Sequence, residues 1–155
     1  MAKRKTKEKD TDWNYYVEQG ITCKNKKNYN DAIINFKKAL SIFGEDSFFI
    51  CTLLSVSYRE KGEYDTSIEY CNKSIETLEV IDAESYEYSM AIAYNELALN
   101  YLAKNEKKQA ITFFKQSADN GGTDALNQLE KLGITYKSKI FVRKGQYGTT
   151  NVPDF

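Results

Sequence analysis

Three stretches of this chain superimpose without gaps: residues 25–40 (NKKNYNDAIINFKKAL), 60–75 (EKGEYDTSIEYCNKSI) and 103–118 (AKNEKKQAITFFKQSA). Their small residues Ala32, Ser67 and Ala110 lie 35 and then 43 positions apart. Periods in this range belong to stacked helix–turn–helix units, in which no unit can bury its apolar side alone. The segment before each block repeats as well. With units beginning at Trp13, Phe48 and Ala91, the fourth, seventh, eighth and eleventh places form one helical stripe. These places hold Tyr16, Gln19, Gly20 and Cys23, then Cys51, Leu54, Ser55 and Tyr58, then Tyr94, Leu97, Ala98 and Tyr101. The eighth place is always small, which lets a second helix come close. That helix carries Phe36, Cys71 or Phe114 between small neighbours, so small faces large across each hairpin.

At these residues the chain resembles the tetratricopeptide repeat family: a large residue, Leu-Gly, Tyr, then Ala-x-x-x-Tyr-x-x-Ala. The resemblance runs over roughly residues 13 to 120 and implies an all-α, right-handed α-solenoid of three helix–turn–helix repeats. A weaker likeness to Sel1-like repeats covers residues 115–125. Two departures stand out. Gly44, Glu79 and Gly122 replace the proline usual near a unit's end, and the second unit has an insertion around Thr77 to Ser89. If helical, that insertion adds about two turns.

The organisation predicted is a basic head (1–11), a repeat domain (12–133) and a tail (134–155). Within the domain the repeats fall at about 13–46, 48–81 and 91–122, followed by a C-terminal capping helix at 124–132. Gly62 and Asn105 occupy hairpin turns where a left-handed backbone is favoured. Gly121-Gly122 ends the sixth helix, Thr123 is expected to cap the seventh, and Gly133 to close it. A solenoid needs such a helix to cover its last apolar face. The tail is β-branched and glycine-containing and is read as non-helical.

Charge narrows the function. The head carries a net +3 (five basic against two acidic residues), the tail from Ile134 another +3, and the middle −6, although the whole chain is neutral. An acidic body does not suit nucleic acid, which needs a basic face on the folded part. No apolar run of about 18 residues is present, so no membrane span is expected, and the start does not read as a signal peptide. Three cysteines without metal-type spacing suit a reducing, cytoplasmic compartment. Histidine is absent from the sequence, which removes the usual general base and the partner of a cysteine nucleophile. Neither phosphate loop nor carboxylate–metal motif appears, and no cofactor or metal is expected. An enzyme is the least favoured reading; Cys23, Cys51 and Cys71 read as core thiols.

A second apolar stripe carries the functional expectation. Places two, five, six and nine of each first helix lie away from the partner helix, and in stacked repeats that side lines the concave groove. The residues there are Val17 and Ile21, then Phe49, Thr52, Leu53 and Val56, then Ile92, Asn95, Glu96 and Leu99, with Arg59 continuing the row. A solvated face is not so apolar. The groove predicted is one that takes an apolar peptide or helix of another protein, with Thr52 and Asn95 bonding its backbone and Arg59 and Glu96 selecting charge. Packing between units competes as an explanation of the same stripe. Chaperone-binding members of the family, by resemblance, grip a ligand's C-terminal carboxylate with Lys, Asn and Arg at places occupied here by Val17, Ile21, Leu53, Ile92 and Glu96. Such a grip is not expected. The expectation is thus a protein–protein interaction module, an adaptor or scaffold, acting as monomer or homodimer. The alternatives are a self-associating structural protein, or a small chaperone whose groove is covered by its own tail or a second copy.

Overall fold

The computed structural model describes residues 12–44, 47–78 and 83–139. The predicted head (1–11) and most of the tail (140–155) lie outside them. The described residues form seven α-helices: α1 (Trp13–Asn25), α2 (Tyr29–Phe43), α3 (Phe48–Lys61), α4 (Tyr64–Glu76), α5 (Ala83–Ala103), α6 (Lys107–Asp119) and α7 (Thr123–Lys131). Among the described residues there is no strand, and no helix is long and apolar enough to cross a membrane. The seven predicted helices are therefore all present, in the predicted order.

Local chemistry starts and stops them. The Asp12, Asn28 and Ser47 side chains accept from backbone N–H groups in the first turns of α1, α2 and α3, satisfying donors that a helix start leaves over. Each hairpin turns on one left-handed residue: Lys27 (φ 59°), Gly62 (φ 89°) and Asn105 (φ 65°). The N–H that follows it closes back onto the helix, Asn28 to Cys23, Glu63 to Tyr58 and Glu106 to Tyr101, at 2.8–2.9 Å.

Successive helices pack pairwise along the chain, and α3 also touches α5 directly. That contact skips α4 and sets the first helices of units two and three side by side on one face. Small-against-large packing holds in the first unit: Phe36 is fully buried, and a Cβ added at Gly20 would overlap its ring. Phe114 and Ala98 are likewise fully buried in the third. The second unit uses polar pairing instead. Ser55 lies 3.0 Å from the Ser67 hydroxyl and 2.8 Å from the Cys71 sulfur, and Ser67 donates to the Ser55 carbonyl at 2.7 Å. Two apolar cores result, one built by α1–α3 and one by α5–α7.

In the described part of the insertion α5 begins at Ala83 and runs 21 residues against 13 for α6, about two turns more. Two expectations are corrected. Thr123 does not cap α7. It is the first helical residue, and the N-cap is Gly122, where an added side chain would collide with Ser117. The body does not end at Gly133 either. Ile134 and Tyr136 pack on the second core, Ser138 is buried, and the Tyr136 hydroxyl donates to both Asp119 oxygens at 3.0 Å. An aromatic with a polar tip and a part-buried acceptor to reach holds this segment against the body, where the sequence was read as a tail beginning at residue 134.

Candidate functional site

The predicted groove residues lie on α1, α3 and α5, but they are not equivalent. Phe49 is the most open, at 52% exposure. Ile21, Leu53, Val56, Ile92 and Leu99 are half-buried, with Ile21 and Leu53 resting on the first core and Leu99 on the second. Val17 is 3% exposed and belongs to the first core outright. It has almost no surface to offer a ligand, so burial in the core accounts for its apolar character.

The polar members have partners of their own. Thr52 donates its hydroxyl to the Phe48 carbonyl at 2.8 Å, which leaves its oxygen lone pairs for accepting. Arg59 and Glu96 do not stand apart as two charge selectors. The Arg59 Nε lies 3.0 Å from Glu96 Oε2 and joins α3 to α5, while its Nη1 lies 2.9 Å from Glu60. Burial works against the Arg59 charge, but Glu96 and then Glu60 outweigh it and hold the guanidinium above its usual range. Asn95 is half-buried, and its Oδ1 is fully enclosed with no hydrogen-bond partner.

Beside Asn95 a cavity of about 330 Å³ opens between α5 and the start of α7. Its lining includes Ile92, Asn95 and Glu96, which the sequence pointed to, and Tyr88, Thr123 and Asp124, which it did not. Tyr88 was legible in principle: it stands four residues before Ile92, on the same helical row, once the insertion is read as an extension of α5. The α7 residues carried no signal, because the capping helix lies outside the repeat that defined the stripe. Among the described residues no group of His, Cys, Asp and Glu is placed to hold a metal. The Cys71 thiol is 1% exposed, and burial pushes it up to about 12, so it is inert at neutral pH.

Comparison with known proteins converges on one fold. The family model for the tetratricopeptide repeat matches residues 14–46, 50–77 and 91–119. The Hsp70-Hsp90 organizing protein of Triticum aestivum is 32% identical over 117 residues, which cover 74% of this chain. Those residues are 20% of the wheat protein, so the chain spans about a fifth of the curated relative it matches. In structure it is similar to the N-terminal domain of stress-induced protein-1 from C. elegans (TM-score 0.63, 14% identity, 78% of this chain and 94% of that one). It is also similar to the Sgt2 TPR domain of Aspergillus fumigatus (TM-score 0.62, 19% identity, 92% of this chain and 87% of that one).

Proposed function

This chain belongs to the tetratricopeptide repeat family, and on that footing we propose that it is a non-catalytic adaptor or scaffold module that binds an apolar peptide or helix of another protein on its inner face. The observation that carries this reading is the row of partly open apolar side chains crossing α3 and α5, centred on Phe49 at 52% exposure. Water-facing aromatic and aliphatic anchors beside a buried core are the features that dominate peptide-in-groove binding. Three cysteines that form no disulfide among the described residues suit work in a reducing cytoplasm.

The wheat relative is named for organizing Hsp70 and Hsp90. In this chain the places matching the family's carboxylate grip are filled otherwise. Val17 is buried, Ile21, Leu53 and Ile92 are apolar, and Glu96 would repel an anion. A terminal carboxylate set among them would lose water without gaining a cation. We therefore assign the groove to an internal segment of the partner rather than to its chain terminus.

Site-specific photo-crosslinking tests the reading. A photoreactive phenylalanine placed at Phe49 should capture a second polypeptide from native lysate, while the same probe at Ile34, an exposed position on α2, should not. Capture at Ile34 with none at Phe49 would reject the inner face as the binding surface.

A further inference from the structure

The cavity between α5 and α7 differs in chemistry from the apolar row beside it. Its charged lining residues are two carboxylates, Glu96 and Asp124, and no Lys or Arg is among the residues that form it. Glu96 shares one oxygen with Arg59 at 3.0 Å, and its side chain is 13% exposed. Asp124 stands exposed in the first turn of α7 and makes no ion pair with another described residue. Asn95 contributes an amide whose buried oxygen is unsatisfied. Tyr88, 69% exposed, adds an aromatic ring, and Ile92 an aliphatic wall. The opposing influence is the N-terminus of α7, which carries roughly half a positive charge. Two carboxylates outweigh that half charge even with Arg59 drawing on one of them.

We propose that this cavity takes a basic side chain, lysine or arginine, from the segment lying in the groove. This rests on the groove reading above and specifies its ligand: an apolar anchor on Phe49 and Leu53 with a basic residue further along, over α5. A long basic side chain suits such a place because its methylene stem lies along Ile92 while its head reaches the carboxylates and the aromatic ring. An acidic residue or a free carboxylate would find only the helix start in its favour.

Selection from a phage-displayed library of random dodecapeptides on the full chain tests this. Enriched peptides should pair apolar residues with Lys or Arg well above the library frequency. In one such peptide, made synthetically with both ends blocked, changing the basic residue to Glu should weaken binding by about tenfold in fluorescence anisotropy. Asp124→Lys should reverse that order, and the milder Asp124→Asn should narrow it; circular dichroism checks that both variants fold. Amide shifts of Thr123 and Asp124 on titration of the basic peptide would add support. Enrichment without basic bias, or tighter binding of the Glu peptide, overturns the cavity assignment while leaving the groove intact. If no peptide is enriched, or if Phe49→Ser leaves binding of the selected peptide unchanged, the groove reading fails and this inference falls with it.

Discussion

Gly20 shows how one absent methyl group sets the distance between two helices. Alanine there should gain about 1 kcal/mol of helix propensity. The Phe36 ring leaves no room for it, and overpacking costs about 1–3 kcal/mol. We expect Gly20→Ala to destabilise by about 1 kcal/mol in urea unfolding; a stabilised variant would mean that Phe36 moves aside. Cys71 gives a pH dependence. Burial holds its thiol near 12 in the folded chain, whereas the unfolded thiol ionises in its ordinary range. The folded state therefore binds more protons between those values, and stability falls as pH rises from about 9 towards 12, by up to about 1.4 kcal/mol per pH unit. Tyrosines and lysines titrate there too, so the test is the difference between wild type and Cys71→Ala. That variant should lose stability less steeply with pH, and parallel curves would show that the thiol is not the cause.

Among the elements, α7 and the segment after it close the stack. Ala125 and Leu129 are fully buried on the second core, and Tyr136 ties residues 134–139 to Asp119. Tyr136→Phe keeps the ring and removes the hydroxyl, so it should cost about 1 kcal/mol in thermal or denaturant unfolding. No measurable change would mean that water serves Asp119 equally well. The elements were largely legible in the sequence because their signals are local. A period near 35, a small residue facing a large one, and Gly62 and Asn105 at the turns each act within one hairpin. Lys27 was missed as a turn residue because its side chain does not advertise a left-handed backbone, though it stands five places before Ala32 as Gly62 stands before Ser67. The groove was less legible. Periodicity shows which side of a helix faces away from its partner, but not whether a neighbouring unit covers it. That is why Val17 proved to be core while Phe49 stayed open. The docking of Tyr136 depends on Asp119, 17 residues earlier, a contact no local pattern reports.

At the scale of the whole stack, the described residues form two apolar cores joined by a polar waist. The buried positions of α4 are Ser67, Cys71 and Ser74, matching Ala32, Phe36 and Ala39 of α2, and α2 buries Ile33 and Leu40 besides. Hydroxyl and thiol pairing gives α4 less burial energy than its neighbours obtain from aromatic and aliphatic side chains. Native-state hydrogen exchange should accordingly find α4 amides opening at lower free energy than those of α2 and α6. Uniform protection would show that the stack opens only as one unit. Phe49→Ser belongs to this scale too, since it should leave melting nearly unchanged, whereas Leu53→Ser, resting on the first core, should lower it. One feature of the stack also bears on how a ligand is oriented. Residues 83–90 carry α5 upstream of its matched repeat, about 12 Å of helix at 1.5 Å per residue. A trough with level rims reads a ribbon the same way from either end. A raised sill along one stretch breaks that equivalence, so the direction in which an incoming chain is threaded, and not only its composition, becomes something this surface can tell apart.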